Sequence, residues 1–384
     1  MILNRPAWVE VDLNAIAHNM REIRSIVRPE TEIMAVVKAN GYGHGAVQVA
    51  KTVLKYGATR LGVATLGEAV EIREKGISVP ILVLGYTPEE QAETAIEYDV
   101  AQSIYTFEMA QACARTAEKK GKRAIIHLKI DTGMGRIGFL PSSATIMEIK
   151  KIFNMPWLFV EGIFTHFAVA DCLDKTFTRQ QFNKFQEVVH TLEQEGVEIP
   201  LKHAANSAAV IDLPQTHLNL VRPGIIIYGL YPSKEVDQQK ISLQPALTLK
   251  AKVSFVKNVA LGTSISYGRR YITEKEALIA TLPLGYADGF DRMLSNRGEV
   301  LLHGKRVSVV GTVCMDQFMV NASKAPDTKI GDEAVIIGVQ GHEQISVEEI
   351  AERLNTINYE ILCMLSQRVP RVYTEETDTG RLKE

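Results

Sequence analysis

A lysine that ends an apolar strand and is followed at once by a glycine-rich turn is the residue in this chain best suited to form a covalent bond. The run is Val36-Val37-Lys38-Ala39-Asn40-Gly41-Tyr42-Gly43-His44-Gly45. Desolvation lowers the pKa of an amine, and a neutral amine is what condenses with an aldehyde to give a Schiff base. Lys38 is therefore a candidate covalent anchor for pyridoxal phosphate. Taken alone, the segment also fits a lysine whose stem snorkels toward solvent ahead of a turn. The remaining polar residues bear on that choice.

Several of them fall at the ends of apolar runs. Lys129-Ile130-Asp131-Thr132-Gly133-Met134-Gly135-Arg136 continues one run, His166 closes another, and Asn206-Ser207 and Arg222-Pro223-Gly224 follow two more. A phosphate needs backbone amides and a hydroxyl with no bulky side chain nearby, which Ser207 and Val221-Arg222-Pro223-Gly224-Ile225 offer. No GxxxxGK[ST] or GxGxxG sequence is present, so a small phosphorylated cofactor fits better than a nucleotide. A later cluster comprises Ser266-Tyr267-Gly268, Gly285-Tyr286-Ala287-Asp288-Gly289 and Val313-Cys314-Met315-Asp316-Gln317. Glycine-flanked tyrosines are commonly exposed turn aromatics, but these lack a packing period and leave room for a site.

The elements that must position these residues alternate in type. Eight β-type runs, at 35–38, 61–64, 81–84, 102–105, 125–130, 162–166, 201–204 and 219–223, are separated by segments of helical period. Eight is the number that closes a (β/α)8 TIM-type barrel, whose chemistry sits at the carboxyl ends of its strands. Helices are expected over 89–98, 107–120 and 176–195, the last stopped by Gly196. After Ser233 the texture becomes mostly β, with runs at 247–253, 277–284, 307–320 and 334–338 and one helix opened by a Ser346/Glu349 capping box. The fold class is thus α/β, a barrel over 1–238 followed by a mostly β domain over 239–384, with a polar linker at 232–240.

Composition narrows the functional classes. The 384 residues are 46% hydrophobic and 23% charged with a net charge of -2, which gives no basic field for a nucleic-acid backbone. Arg5, Glu10 and Asp12 precede any apolar stretch long enough for a signal peptide, and the longest apolar runs, such as 224–230, are too short to span a bilayer. Cys113, Cys172, Cys314 and Cys363 lie far apart without a CxxC pair, so neither a disulfide framework nor a metal site is expected. The expectation is a cytoplasmic protein with no membrane or nucleic-acid partner.

In order and spacing, these motifs resemble those of the bacterial alanine racemases, barrel-type PLP-dependent amino-acid racemases. The likeness runs from Trp8-Val9-Glu10-Val11-Asp12 to Arg368-Val369-Pro370-Arg371 and includes the Lys38 segment, Lys129 to Arg136, Thr165-His166-Phe167, His203-Ala204-Ala205-Asn206-Ser207, Val221 to Gly224 and Cys314 to Gln317. The resemblance implies residues 1–11 packing with the C-terminal domain, and a head-to-tail homodimer in which each site borrows residues from its partner. It makes Lys38 the cofactor anchor and one catalytic base, with Tyr267 of the partner subunit as the other. Tyr42, Ser207, Gly224, Ile225 and Tyr359 would hold the phosphate. Arg222 would face the pyridine nitrogen, Arg136 the phenolic oxygen side and the substrate, and His166 would link Arg222 to Tyr267. Met315 of the partner subunit would offer its amide to the substrate carboxylate. Lys129 stands where many relatives carry an N-carboxylated lysine, and its sequence context fits an ordinary cationic lysine equally. Val169, where threonine is common, and Gly41, where alanine is frequent, are departures that leave the chemistry untouched.

Racemisation takes a proton from one face of the α-carbon and returns one to the other, so two acid/base groups on opposite faces suffice. Lysine and tyrosine both have reference pKa values of about 10 and need burial or nearby cations to act near neutrality. A guanidinium facing the pyridine nitrogen cannot take up its proton, which favours prompt return of a proton to the α-carbon over transamination. The small-molecule substrate expected is alanine, and the product D-alanine would supply peptidoglycan. Serine racemases and broader amino-acid racemases are built alike. The barrel-type decarboxylases of basic amino acids would place a carboxylate where this chain has Arg222, and PLP-binding homeostasis proteins lack the β-rich segment beyond Ser233.

Overall fold

Strands buried on both faces read as continuous apolar runs, and eight of them form one parallel sheet in the computed structural model, which describes residues 5–375. They are β1 (Glu32–Val36), β2 (Arg60–Val63), β3 (Ile81–Val83), β4 (Val100–Ile104), β5 (Ala124–Lys129), β6 (Leu158–Phe164), β7 (Leu201–His203) and β8 (Leu220–Val221). Each pairs in parallel with its neighbour in sequence from β1 to β7, and β8 pairs with β1. The seam between β7 and β8 is closed differently. Asn219 uses its side-chain amide in place of a ladder, accepting from Lys202 N at 2.8 Å and donating to Pro200 O at 2.7 Å, and Arg222 N donates to Ala205 O at 3.0 Å.

Alternation along the strands sorts side chains to the two faces of the barrel wall. On β5, Ala124, Ile126 and Leu128 pack outward into the helical shell with Cys113, Ala117, Ile149, Phe185 and Leu192. Ile125 joins Met34, Leu82, Ala101, Leu201 and Leu220 inside, so His127 and Lys129, two and four residues on, share that inner face. Several shell helices start on side-chain caps. Thr106 accepts from Met109 N ahead of Phe107–Lys120, and Ser142 accepts from Thr145 N ahead of Ser143–Phe153. Thr176–Gln194 buries Phe182, Phe185, Val188 and Leu192 at helical spacing and stops before Gly196. The stretch expected as one helix over 89–98 is a short 3-10 turn, Glu89–Gln91, followed by the helix Ala92–Glu97.

The described chain divides into two compact units. The barrel unit holds 15–41 and 46–245, and the other unit takes the N-terminal segment up to Asn14, residues 42–45, and the chain from 246 onward. Segment 232–245 stays with the barrel because it is tied down: Tyr231 Oη donates to Ile241 O at 2.7 Å, Ser242 N to Glu22 at 2.9 Å, Gln244 N to Asn19 at 2.8 Å, and Lys240 meets Asp212 at 3.4 Å. Residues 1–4 of the N-terminal segment and 376–384 of the β domain lie outside the described residues.

In the second unit, Ala7–Asp12 sits in the main sheet, antiparallel to Leu247–Lys252 and parallel to Arg371–Thr374. The sheet continues through Glu333–Gln340 and Glu299–Leu302 to Lys305–Ser308, and a three-stranded sheet joins Phe255–Val259, Ala277–Leu282 and Phe318–Asn321. The run expected over 307–320 is therefore two strands, and the segment between them carries Cys314 and Met315. Ser346 caps Val347–Leu354 by accepting from Glu349 N, while the Glu349 carboxylate pairs with Arg306 and Arg353 rather than returning to the cap. A second helix, Asn358–Met364, bears Tyr359 and has no side-chain cap, which is why it left no mark in the sequence. Among the described residues no helix is long and apolar enough to cross a membrane, and none of the four cysteines forms a disulfide.

Candidate active site

Lys38 lies two residues beyond the end of β1 and opens a turn of unusual hand. Ala39, Asn40 and Gly41 all have left-handed backbone angles near φ 52–60° and ψ 46–49°. For residues with a Cβ this conformation costs roughly 1–2 kcal/mol each, so the surroundings must enforce it. Glu68 does much of that. One carboxylate oxygen accepts from Ala39 N at 2.6 Å, and the other accepts from Ala64 N and Thr65 N, completing the capping box of Leu66–Glu74. Gly41 N donates back to Val37 O at 2.8 Å, and Asn40 Oδ1 accepts from Ala46 N at 2.9 Å. Strained backbone of this kind collects at functional sites, which makes Lys38 a candidate for one.

Around the same barrel mouth the charges are almost all positive. Arg222 is buried, and its Nη2 donates to Thr165 O at 2.8 Å, to Ala204 O at 3.1 Å and toward His166 Nδ1 at 3.4 Å, while Nη1 meets His203 Nδ1 at 2.9 Å. Burial, then the charge of Arg136, pushes the Arg222 guanidinium down to about 9. His166 lies well below the usual imidazole range, first through burial and then through Arg222, Arg136, Lys129 and Lys38. Lys129 is 2% exposed, donates to Ile130 O at 2.7 Å and sits 5.6 Å from the Phe164 ring centre. Burial and the neighbouring arginines bring its amine down to about 7. Asp131 is the one carboxylate acting on Lys129, and it is already engaged by the amides of Gly133, Met134 and Gly135, which shape the segment leading to the exposed Arg136.

Ser207 and Gly224 meet directly. Ser207 is the first residue of the short helix Ser207–Asp212, capped by Asn206, and its hydroxyl accepts from Gly224 N at 2.8 Å. Ile225 opens the 3-10 turn Ile225–Tyr228 immediately after. A hydroxyl that accepts one bond keeps its own hydrogen to donate, and with the Ile225 amide that opens the next turn it is a donor set for an anion.

The remaining expected residues belong to the β unit. The Tyr42 ring packs against the Tyr359 ring with centroids 6.1 Å apart. Residues 42–45 are held there by Arg371 Nε donating to Gly43 O at 2.8 Å, and a Cβ on Gly45 would fall 1.9 Å from the Tyr373 hydroxyl oxygen. Tyr267 is 73% exposed on a turn fixed by Thr312 Oγ1 donating to Tyr267 O at 2.8 Å. Met315, 52% exposed, follows on the same segment, and its carbonyl accepts from Ala287 N beside the exposed Tyr286. The Tyr286 turn is fixed beneath by buried Asp288, which takes Arg5 through both oxygens at 2.6 Å. Lys38, Lys129, Arg136, His166, Ser207, Arg222, Gly224 and Ile225 are thus residues of the barrel, and Tyr42, Tyr359, Tyr267 and Met315 of the β unit.

Sequence reasoning missed Glu68, Asp131 and His203 as organisers of this site. His203 was legible only as a polar residue at the end of β7, since its partner Arg222 is brought to it by closure of the barrel. Among the described residues no cluster of histidine, cysteine, aspartate or glutamate could hold a metal ion.

A closed parallel barrel with an amine, guanidinium groups and an imidazole at its carboxyl end, joined in one chain to a β unit, is an enzyme scaffold of the (β/α)8 class. Residues 11–232 match the profile of the alanine racemase N-terminal domain and residues 246–373 that of the alanine racemase C-terminal domain. The chain is 52% identical over 372 residues to an alanine racemase of Methanococcus maripaludis, covering 97% of this chain and 100% of the relative. An alanine racemase structure from Clostridium difficile superposes with a TM-score of 0.94 at 43% identity, covering 97% of both chains. A histidine racemase from Leuconostoc mesenteroides superposes with a TM-score of 0.89 at 30% identity, covering 97% of this chain and 99% of that one. The chain belongs to the alanine racemase family.

Proposed function

We propose that this protein is a pyridoxal phosphate-dependent alanine racemase, interconverting L- and D-alanine with Lys38 and Tyr267 as opposed acid/base groups. The observation that carries the reading is the cation-rich barrel mouth, in which a guanidinium, Arg222, stands where a decarboxylase of this architecture would need a carboxylate. Pyridoxal phosphate, when bound, supplies an aldehyde for an amine and a conjugated ring that withdraws electrons from the substrate's α-carbon. The residues present fit it. Lys38 is an amine at the mouth, the Ser207 hydroxyl accepts from Gly224 N and keeps its own hydrogen to donate to a phosphate, Gly224 brings no side chain into the way, and the amide of Ile225 follows; Tyr42 and Tyr359, a ring pair of the β unit, carry the further hydroxyls that the resemblance assigns to the phosphate.

Lys38 Nζ removes or returns the α-proton on one face, and the hydroxyl of Tyr267 of the partner subunit does so on the other. Because Arg222 donates to His166 Nδ1, the neutral ring carries its hydrogen on Nε2 and offers it as a donor that lowers the cost of a phenolate. Arg136 and the amide of Met315 orient the substrate carboxylate. The neutral amine of Lys129, favoured by burial among cations, adds carbon dioxide to give a carbamate and releases one proton to solvent. The new negative charge is a partner for Arg136 in a cluster otherwise made of Lys38, Arg136 and Arg222.

Exposed Tyr267, Tyr286 and Met315 on neighbouring turns favour a homodimer in which these side chains are covered by a second copy. The site of action is the cytoplasm, and the role is supply of D-alanine for peptidoglycan. The structural likeness to a histidine racemase favours a second reading, a broader amino-acid racemase. Incubation with L-alanine, L-serine and L-histidine in D2O tests both: α-deuterated D-alanine formed fastest, without carbon dioxide release, is the expected result. Comparable rates on all three would move the reading to the broader enzyme, and decarboxylation or no exchange would refute it.

A further inference from the structure

Beneath Arg222 a single chain of hydrogen bonds runs through the barrel interior from the carboxyl ends of the strands to their amino ends. Arg222 Nη1 meets His203 Nδ1 at 2.9 Å, His203 Nε2 meets His127 Nδ1 at 2.9 Å, and His127 Nε2 meets Glu161 Oε2 at 2.9 Å. The same Glu161 oxygen takes Arg60 Nη1 at 3.0 Å, and Arg60 Nε continues to Glu32 at 2.9 Å. These residues sit just beyond β8 and on β7, β5, β6, β2 and β1, so nothing local in the chain brings them together.

The geometry leaves one arrangement of protons. A guanidinium only donates, so His203 Nδ1 accepts and its Nε2 carries the hydrogen. That hydrogen requires His127 Nδ1 to accept, which puts the His127 hydrogen on Nε2, facing Glu161. Starting from the other end gives the same answer, because a carboxylate only accepts. Both rings are fully buried and neutral, burial being the main reason that neither takes a second proton. Their orientations are fixed as well. Phe164 stacks on His203 at 4.8 Å and 5°, and position 162 must be glycine, since a Cβ there would lie 2.3 Å from His127 Nδ1.

We propose that His127 and Glu161 are positioning residues for Arg222: the carboxylate fixes the tautomers of both imidazoles so that His203 always presents an acceptor to the guanidinium. Without Glu161 the two ends no longer agree: the arrangement set by Arg222 leaves the His127 Nε2 hydrogen buried with no acceptor, and the reversed one, with both hydrogens on Nδ1, replaces it, so that His127 donates to His203 and the His203 hydrogen opposes the N–H of Arg222. Each ring keeps one hydrogen, but Arg222 loses a partner and turns away. What Arg222 then does to the cofactor rests on the proposed function; the tautomer claim does not.

The test compares the holoenzyme with Glu161→Gln, which keeps an acceptor oxygen, and Glu161→Leu, which removes it. Nitrogen-15 NMR of histidine-labelled protein reads the tautomers, and the cofactor's visible absorption and alanine kinetics read Arg222. The expected result is Nε2–H at both histidines in the parent and in E161Q. In E161L, His203 shifts to Nδ1–H, the visible band moves, and kcat falls about tenfold with KM changed less than twofold. If E161L does not fold, the E161L/R60L double variant removes carboxylate and cation together and carries the same expectation. Unchanged tautomers in a folded leucine variant, or changed tautomers with kcat and absorption as in the parent, would overturn the proposal. A parent enzyme that binds no cofactor would refute the proposed function instead, and the NMR comparison would still decide the tautomer claim.

Discussion

In the proposed reaction the character of the chemistry turns on Arg222. Its guanidinium is held by Thr165 O, Ala204 O, His203 and His166 and has no carboxylate among these partners, so the ring nitrogen it would face is left without a proton donor of ordinary acidity. Replacing it by glutamate in Arg222→Glu should slow racemisation by about 10²–10⁴-fold and raise the yield of pyruvate and pyridoxamine phosphate per turnover. No rise in transaminated product would mean that arginine does not play this part. Lys129 carries the second residue-scale prediction. Its amine has a pKa of about 7 in the folded protein against 10.5 for the ordinary group, so between these values the unfolded chain holds a proton that the folded one does not. Stability therefore rises with pH across that window, and below pH 7 the full penalty of a buried cation applies. In carbon-dioxide-free buffer, Lys129→Met should be more stable than the parent at pH 6.5, with the advantage shrinking toward pH 10. Urea unfolding at several pH values measures this, and parallel pH curves for the two proteins would refute it.

At the scale of elements, one carboxylate serves both a helix cap and the turn after Lys38. Thr65→Ala removes only the capping hydroxyl of Leu66–Glu74 and should cost about 1 kcal/mol with kcat almost unchanged. Glu68→Ala also frees Ala39 N from its 2.6 Å bond, so kcat should fall at least tenfold beyond any loss of stability. Equal effects of the two on kcat would show that the left-handed turn holds itself. This turn marks the limit of what the sequence disclosed. The eight strand positions were readable because strands covered on both faces are mostly apolar, and the ends of those strands led directly to Lys38, His166 and Arg222. Left-handed angles over Ala39 and Asn40 were not readable, because alanine disfavours them, asparagine tolerates them only as a single residue, and Glu68, which holds the turn, is far along the chain. For the same reason His127, Glu161 and Arg60 look like the wet side of half-buried strands until the barrel closes and brings residue 127 against residue 203. Helix Asn358–Met364, short and uncapped, left no local signal at all.

At the scale of the whole molecule, the two proposed bases lie in different units of the chain, Lys38 in the barrel and Tyr267 largely exposed on the β unit. A phenol left in solvent has little to act on, and a partner copy would both cover it and give it a substrate. Mixing two inactive variants, Lys38→Ala and Tyr267→Phe, after reversible dissociation measures this most directly. If each site combines Lys38 of one protomer with Tyr267 of the other, a heterodimer holds one site with both intact groups and one with neither, and L-alanine racemisation returns on mixing. Activity that stays absent in demonstrated heterodimers, or a Tyr267→Phe enzyme that already racemises alanine at the parent rate, would contradict it.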